Sequence, residues 1–341
     1  MINRTIDILV IGAGPAGCSV VMDNFQDKEI LLVDSVSLPR DKPCSGLLVE
    51  ESQKILKKMN IPKKVFGTPA ELDLRYKDFD NDIEFIENKK LGNTDRKKLD
   101  SWIFDNIDKD VEVLDNTSIS KIELGEEIKV TLTTNGEEQT FKTKYLIGAD
   151  GATSRVRKLL EFSPEFKYRT SQNFVETDKE IDCCEFIYWN KLTDWYLWAL
   201  PKEENLVEIG GAFKQNIDSN HALDILMKKL NINGKIVKKR HWLLSQPRKR
   251  GDICLGNGKN IFLVGEAAGF ISPSTGEGIS FGLRSGIILS EALKSKCPFY
   301  EYENKTKKLV QEVIDKAKKA EAIADPKLRY KLLSTMNETL H

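Results

Sequence analysis

Three glycines near the N-terminus have the spacing that brings backbone amides close to a phosphate group. The pattern G-x-G-x-x-G is formed by Gly12, Ala13, Gly14, Pro15, Ala16 and Gly17. The first glycine permits a tight turn, the second lets a diphosphate approach the backbone, and the third lets a helix pack on a strand. Asp34 follows 20 residues after Gly14, where a carboxylate can accept hydrogen bonds from a ribose. The spacing therefore predicts a dinucleotide site.

A cysteine in a basic loop could carry a reactive thiol. Cys44 follows Arg40 and Lys42 in the segment Pro39-Arg-Asp-Lys-Pro-Cys44. Positive neighbours lower the pKa of a thiol and so favour proton transfer or nucleophilic chemistry. The alternative role is that of a small buried packing residue, which most free cysteines fill. Both interpretations stay open.

An aromatic cluster further along the chain could contact an apolar ligand. In a strand, alternation places Tyr196 and Trp198 on one face and Trp195 and Leu197 on the other. Such a wall suits a prenyl chain, because each buried CH₂ contributes about 0.8 kcal/mol. Packing within the core is the alternative, and one face could serve each purpose.

Two distant segments place acids and glycines after buried strands. Asp150 follows the apolar run 145–149, and Gly265 with Glu266 follows the run 261–264. A helix is then predicted to begin at about Gly278, in the junction Gly276-Glu277-Gly278-Ile279. Its N-terminus, with roughly half a positive charge, would stabilise the edge of a flavin that becomes anionic on reduction. These segments indicate FAD, and not NAD, as the resident dinucleotide.

The elements that must position these residues alternate between buried strands and helices. Strands are predicted at 6–11, 30–33, 145–149 and 261–264, a β-meander at 111–141, and helices at about 15–25, 96–107 and from 278 onwards. The fold class is therefore α/β: a doubly wound, Rossmann-like FAD-binding domain interleaved with a β-rich substrate lobe, plus C-terminal helices. The predicted boundaries are 1–60, 96–164 and 248–298 for the FAD domain, 61–95 and 165–247 for the lobe, and 299–341 for the tail.

Composition excludes several classes of protein. The 52 basic residues balance the 52 acidic ones, so no global field attracts nucleic acid. Six scattered cysteines and three histidines indicate reduced thiols in the cytoplasm and no metal site. No apolar run approaches the roughly 20 residues of a membrane-spanning helix. Peripheral contact with a membrane stays open.

Taken together, these segments resemble the geranylgeranyl reductase family, within the FAD fold shared with p-hydroxybenzoate hydroxylase, over about residues 5–295. The loop from Pro39 to Gly46 is similar to the family's P-x-x-K-P-C-G-G, and 196–201 is similar to its Y-x-W-x-F-P. Arg96, four residues before Asp100, matches a position associated with the flavin. The departures are Glu266 in place of Asp, Ser45 in place of Gly, and Leu200 in place of Phe.

The resemblance implies a role for each matched residue. The glycine turn and Asp34 would bind the ADP half of FAD, Arg40 and Arg96 would contact the cofactor, and Glu266 would contact its ribityl chain. Cys44 would lie beside the reactive face of the flavin, with Tyr196 and Trp198 along the substrate channel as the other candidate catalytic residues. The remaining predicted cofactor contacts are Ser45, Gly46, Asp150, Gly265, Gly276, Glu277, Gly278 and Ile279.

The implied activity is hydride transfer from the N5 atom of reduced FAD to a carbon–carbon double bond of a small apolar substrate, such as a prenylated lipid or a quinone. No second G-x-G-x-x-G exists, so NAD(P)H would visit transiently as electron donor, and ferredoxin is the alternative donor. Two other functions stay open. One is a flavin monooxygenase or halogenase on the same scaffold, and the other is a non-catalytic flavin-binding redox sensor.

Overall fold

Short apolar runs rich in Val, Ile and Leu form the strands that carry the glycine turn. The structure, a computed structural model, describes residues 2–23, 25, 27–162 and 167–339. Its strands are β1 (Ile2–Ile11), β2 (Ile30–Val33), β3 (Leu47–Leu48), β4 (Phe66–Asp78), β5 (Ile83–Thr94), β6 (Glu112–Leu114), β7 (Thr117–Glu123), β8 (Ile128–Thr134), β9 (Glu137–Gly148), β10 (Lys167–Glu176), β11 (Cys184–Tyr188), β12 (Leu197–Glu203), β13 (Leu206–Phe213), β14 (Lys235–Ser245) and β15 (Ile261–Leu263). Its helices are α1 (Pro15–Val20), α2 (Glu50–Lys58), α3 (Arg96–Phe104), α4 (Arg155–Leu159), α5 (Ser219–Lys229), α6 (Ile279–Ala292), α7 (Pro298–Ala324) and α8 (Pro326–Glu338).

The first sheet has seven strands and is parallel at its centre. Strand β1 lies between β2 and β9, β6 extends the sheet beyond β2, and β15 pairs with β9. Strands β7 and β8 continue it as an antiparallel meander. The side chains of Ile8, Leu9 and Val10 are fully buried, as expected for a parallel strand covered on both faces. The carboxyl ends of β1, β2, β9 and β15 therefore meet at one edge, where ligands of such sheets bind.

Two predicted elements differ from the structure. Helix α1 ends at Val20, before the end predicted near Phe25, since the β-branched pair Val20 and Val21 propagates a helix poorly. The run 145–149 is no separate strand, because it is the second half of β9, which pairs with β8 first and with β1 and β15 later. The predicted hairpin turn is confirmed: Asn135 and Gly136 both have positive φ, at 52° and 86°.

The second sheet has eight strands in the order β14-β10-β13-β12-β11-β4-β5-β3. Its register aligns one residue from each of seven strands in a single row: Arg240, Gln172, Gly210, Trp198, Phe186, Tyr76 and Phe85. Residues two positions away along each strand lie on the same face. That face carries most of the aromatic side chains of the sheet, and the opposite face packs on α5 through Leu223 and Leu226.

The C-terminal helices brace both sheets. Helix α6 packs on α1, and α7 packs on α6 while Tyr302 donates a hydrogen bond to the carbonyl of Leu263 in β15, at 2.8 Å. Helix α8 packs on β5 and extends the aromatic cluster with Leu333. Within the described residues, no helix combines the length and the apolarity needed to cross a membrane. The predicted α/β fold with C-terminal helices is confirmed, whereas the residue boundaries of the two lobes stay a prediction.

Candidate functional site

A cavity of about 840 Å³ separates the carboxyl edge of the first sheet from the aromatic face of the second. Ligand pockets commonly hold about 300–1,000 Å³. Eighteen of the predicted site residues line it: Gly12, Gly14, Pro15, Ala16, Asp34, Arg40, Cys44, Ser45, Arg96, Asp150, Tyr196, Trp198, Gly265, Glu266, Gly276, Glu277, Gly278 and Ile279. Gly17 and Gly46 do not line it. Residues far apart in the chain thus converge on one space.

The glycine turn has no room for side chains. Gly12 has a φ of 109°, and a Cβ there would lie about 2.5 Å from the carbonyl oxygen of Ala149. A Cβ on Gly17 would overlap the carbonyl of Gly12, so this glycine allows α1 to pack on β1. A Cβ on Gly14 would overlap the guanidinium of Arg40 and fill the space above the turn. The turn at Gly12 and the close packing at Gly17 are thus present as the pattern predicts, while access of a diphosphate at Gly14 stays a prediction.

Asp34 lies at the end of β2 and supports this turn. Its Oδ2 accepts a hydrogen bond from the backbone N–H of Ala13 at 2.8 Å, and its Oδ1 accepts one from Val36 at 3.2 Å. Each carboxylate oxygen has further acceptor capacity toward the cavity that Asp34 lines. Nη1 of Arg40 is 3.9 Å from its Oδ2. This placement suits a carboxylate that receives ribose hydroxyl groups.

One buried carboxylate joins the two predicted arginines. Asp100 accepts hydrogen bonds from Nε of Arg40 at 2.9 Å and from Nη2 of Arg96 at 2.8 Å. Burial opposes the ionisation of Asp100, but the charges of Arg96 and Arg40 outweigh it and lower its pKa. Both guanidinium groups are thereby held at the wall of the cavity.

Cys44 lies among hydrogen-bond donors at this wall. Its Sγ accepts the backbone N–H of Gly46 at 3.4 Å and also interacts with the side chain of Arg96. Gly46 holds the loop in a tight turn, with a φ of 71° and its carbonyl bonded to the Thr94 hydroxyl at 2.6 Å. Two hydrogen-bond donors, one from the backbone and one from Arg96, therefore face this sulfur.

A lysine and an acid that both line the cavity form an ion pair. Nζ of Lys42 is 3.6 Å from Oε2 of Glu266, whose Oε1 accepts the backbone N–H of Ser245 at 2.8 Å. Burial lowers the pKa of Lys42 against the opposing effect of Glu266. Glu266 therefore reaches across to β14, which a shorter Asp at this position would do less easily.

Two predicted cofactor contacts serve as helix caps. Asp150 accepts the hydroxyl of Ser154 at 2.6 Å and the N–H of Arg155 at 2.7 Å at the start of α4. Glu277 accepts the N–H and the hydroxyl of Ser280 at 2.6 and 2.8 Å at the start of α6. Burial raises the pKa of both acids. The carboxylate of Glu277 offsets the positive end of α6 when ionised, so this helix end is less positive than predicted.

The aromatic wall is built from Tyr196, Trp198 and Phe186. The rings of Tyr196 and Phe186 stack with their centroids 4.5 Å apart, and Trp198 lies 5.7 Å from Tyr196. The Tyr196 hydroxyl abuts Gly276, which has room for no Cβ. Leu197 faces the opposite side, as predicted, but Trp195 does not. Because β12 begins only at Leu197, Trp195 precedes the alternation and packs with Tyr196.

Sequence patterns missed a polar group behind this wall. Glu208 is fully buried and accepts Nε1 of Trp198 at 2.8 Å and Nε2 of Gln172 at 3.0 Å. Lys202 lies 3.8 Å from Glu208 and donates hydrogen bonds to the carbonyl of Ser45 and to Asn93. Two features of the sequence could have indicated this group. One is a single acid in the apolar run 206–213, and the other is Lys202, which directly follows the Y-x-W-x-L-P segment.

These features fit FAD. Gly14 has no Cβ, so the guanidinium of Arg40 lies directly against the turn, and Asp34 stands beside it at the end of β2. From there the cavity continues past Cys44 and Glu266 to Gly276. The same cavity is thus lined by the glycine turn at one side and by Tyr196 and Trp198 at another.

Comparisons with known proteins agree with this geometry. A family model described as pyridine nucleotide-disulphide oxidoreductase matches residues 6–212. Protein CbrA of Escherichia coli O1:K1 is 30% identical over 338 residues, which span 95% of this chain and 91% of that protein.

Solved structures share the fold. A geranylgeranyl bacteriochlorophyll reductase-like protein from Thermoplasma acidophilum has a TM-score of 0.81 at 18% identity, over 94% of this chain and 88% of that one. The p-nitrophenol 4-monooxygenase PnpA from Pseudomonas putida DLL-E4 has a TM-score of 0.75 at 15% identity, over 98% and 94%. The fold is thus an FAD-binding, Rossmann-like one. The predicted resemblance to geranylgeranyl reductases is confirmed at this level only, since the relatives in sequence are CbrA proteins. Because the family model spans more than half of the residues, the chain belongs to the pyridine nucleotide-disulphide oxidoreductase family.

Proposed function

We propose that this protein is an FAD-dependent oxidoreductase that reduces a carbon–carbon double bond of an apolar, prenyl-type substrate. The observation that carries the proposal is the shared cavity, which joins the glycine turn to the wall of Tyr196, Trp198 and Phe186. When bound, FAD would supply the two-electron chemistry, in which the reduced cofactor gives a hydride to carbon. The chain's own residues would bind, orient and provide protons.

The cofactor would be held along one side of the cavity. The backbone N–H groups at the start of α1 would face its diphosphate, and Asp34 its adenosine ribose. Arg40, anchored on Asp100, would add positive charge beside the diphosphate. Glu266 would accept hydroxyl groups of the ribityl chain, with Lys42 as its counterion. The backbone of Gly276 and Gly278 would border the ring system, because neither residue has a side chain to block it.

Cys44 would supply the proton that completes the reduction. Its sulfur faces the same cavity as Tyr196 and is stabilised by Arg96 and the N–H of Gly46 after the proton leaves. Burial also raises the pKa of Tyr196, which makes its phenol a weaker acid. The wall of Tyr196 and Trp198 would exclude water and hold the double bond in place.

The test is a single turnover without oxygen. Purified protein loaded with FAD would be photoreduced and mixed with geranylgeraniol, a prenyl probe dispersed in detergent, while absorbance near the flavin maximum is followed. Reoxidation together with a product two hydrogens heavier supports the proposal. Saturated geranylgeraniol, which has no double bond to reduce, is the control. Reduced protein that is reoxidised by neither prenyl nor enone acceptors would refute it.

We further propose NAD(P)H as the electron donor, visiting the cavity transiently. The support is membership of a pyridine nucleotide-dependent family together with the single G-x-G-x-x-G, which FAD would fill. Anaerobic bleaching of the flavin by NADPH or NADH within seconds is the expected result. Bleaching only by reduced ferredoxin would assign the donor to that protein instead.

A monooxygenase is the second candidate, because the fold matches the p-nitrophenol 4-monooxygenase over nearly the whole chain. The two reactions differ in product. A monooxygenase would consume NAD(P)H and O₂ and place an oxygen atom in its substrate, detectable by mass spectrometry with ¹⁸O₂. A product that gains hydrogen without oxygen excludes this candidate.

A further inference from the structure

A basic strand borders the cavity although the chain as a whole has no net charge. Residues 235–251 contain seven Lys and Arg and no Asp or Glu: Lys235, Lys238, Lys239, Arg240, Arg248, Lys249 and Arg250. The chain overall has 52 residues of each sign. Positive charge is therefore concentrated on one element and its following loop.

This element, β14, is the last strand of the second sheet as described, so its outer edge faces away from the molecule. Most of its cations are exposed, and Asp41 pairs with two of them, Lys238 and Arg240. The surrounding charge remains strongly positive after that pairing. An edge strand rich in lysine also resists pairing with other strands, which is the ordinary reason for such a pattern.

Two apolar side chains on the same strand are also exposed, which indicates a role beyond protecting the sheet edge. Trp242 is 40% exposed and Val237 is 42% exposed, amid the lysines. Neither side chain contributes to the protection that edge lysines give. Tryptophan with nearby lysine and arginine is the combination found where proteins meet the headgroup region of a bilayer.

Trp242 also links this surface to the site. It lines the cavity, and Nζ of Lys42 lies 6.0 Å from the centre of its ring. A surface bound at β14 would thus adjoin the opening of the chamber. An apolar substrate of the kind proposed above partitions into lipid, so a protein that collects it gains from resting on a membrane at this rim.

We propose that β14 and residues 248–250 form a docking surface for an anionic lipid bilayer, with Trp242 at the interface beside the cavity. The proposal rests on the proposed function for its purpose, but the binding itself needs no turnover. Attraction of the cations to acidic headgroups would orient the molecule, and the exposed Trp242 and Val237 would contact the apolar boundary.

Sedimentation with vesicles tests the proposal. The FAD-loaded protein is expected to bind vesicles of phosphatidylcholine mixed with phosphatidylglycerol and to bind those of phosphatidylcholine alone far more weakly. Added salt should release it, because screening weakens the attraction. The variant Lys235→Gln/Lys239→Gln/Lys249→Gln is expected to bind roughly a hundredfold more weakly, from the contribution of three cations near an anionic surface.

A matched control removes the same charge elsewhere. The variant Lys57→Gln/Lys58→Gln/Lys109→Gln neutralises three exposed lysines away from β14 and is expected to bind like the wild type. Trp242→Ser should weaken binding further at high salt, where the apolar contact dominates. Equal binding to both kinds of vesicle, or equal loss in both triple variants, would overturn the proposal. So would salt-sensitive binding to reduced ferredoxin with none to vesicles, which would assign the strand to an electron-donor protein.

Measuring prenyl reduction separately from vesicle binding distinguishes a failure of the proposed function from a failure of the docking surface. Both triple variants should reduce the probe in detergent solution at the wild-type rate, since none of the six lysines lines the cavity. Vesicle binding without any prenyl reduction would refute the proposed function and leave the docking surface standing.

Discussion

Cys44 is only partly buried, unlike Cys18 and Cys183. Burial raises the pKa of Cys18 and Cys183 to about 12, whereas the side chain of Arg96 and the N–H of Gly46 face the sulfur of Cys44. The sequence motif identified the loop, but a neighbour such as Arg96, 52 positions away, became apparent only in three dimensions. At the scale of single residues, chemistry depends on which donors the fold aims at an atom.

Replacing Cys44 tests its proposed role in proton transfer. Cys44→Ser should keep FAD but slow prenyl reduction about 10²- to 10⁴-fold, the usual contribution of a positioned acid. Cys254→Ser is the control, because Cys254 is partly buried and does not line the cavity. Anaerobic single-turnover rates measure the effect. Equal rates in both variants and the wild type would remove Cys44 from the mechanism.

The cradle at Gly14 gives a second test at this scale. Gly14→Val would place a side chain where the guanidinium of Arg40 and the diphosphate must approach. FAD affinity should fall roughly a hundredfold or more, because several charge-assisted hydrogen bonds of about 1.5–3 kcal/mol are lost. Gly125→Val is the control, since its nearest neighbour is 3.7 Å away. The ratio of flavin to protein absorbance reports the outcome, and undiminished FAD in Gly14→Val would contradict the assignment.

At the scale of elements, alternation along β13 separates two neighbouring glycines by function. A Cβ on Gly210 would overlap the indole of Trp198 on the cavity side. A Cβ on Gly211 would overlap Leu197 and Phe213 on the side packed against α5. One face of the sheet shapes the chamber and the other holds the sheet to its helix.

Alanine at each glycine should expose this division. Gly210→Ala and Gly211→Ala should both cost about 1–3 kcal/mol of folding stability, because both overpack a buried site. Only Gly210→Ala should raise KM for a prenyl probe, since it displaces Trp198. Urea unfolding and steady-state kinetics measure the two effects. A raised KM in Gly211→Ala alone would place the substrate on the opposite face.

Local sequence signals predicted the helices, strands and turns better than they predicted which strands pair and which side chains meet. Glycine spacing, Asn135-Gly136 and the apolar runs each depend on near neighbours, and the structure contains the turn, the hairpin and the strands. The continuity of β9 was not visible, because a strand that changes partners midway has two patterns. Glu208 was also missed, since its partners Gln172 and Trp198 come from two other strands.

At the scale of the whole molecule, one buried arginine ties the C-terminus to the second sheet. Arg329 of α8 is fully buried and bonds to Asp78 through two nitrogens, at 2.7 and 3.0 Å. It also donates to Asp80 and Asn190. The pair Arg329 and Asp78 is separated by 251 positions, so no sequence pattern could predict it. This contact holds α8 against β4, the strand that pairs with β11 of the aromatic wall.

Removing Arg329 should therefore lower the free energy of unfolding of the whole protein, and its effect should not be limited to fraying of α8. Arg329→Met leaves Asp78 buried without its cation, which costs about 3–5 kcal/mol for such pairs. Lys318→Met is the control, because Lys318 is an exposed lysine of α7. Urea unfolding followed by circular dichroism at neutral pH measures the difference. Equal midpoints for the two variants would show that the arginine has no such anchoring role.

The effect of pH on this difference follows from Asp78. Burial opposes its ionisation, but hydrogen bonds from Arg329 and Asn81 outweigh it and lower its pKa in the folded protein. The pair thus adds stability above the ordinary aspartate pKa of about 3.9, and this stability is lost as the pH falls toward the lowered value. In Arg329→Met, burial still raises the pKa of Asp78 but the arginine no longer lowers it. Acidification then protonates Asp78 and removes the cost of its buried charge. The gap in unfolding free energy between wild type and variant should therefore shrink from neutral pH toward pH 4, and a constant gap would mean that Asp78 and Arg329 are not coupled.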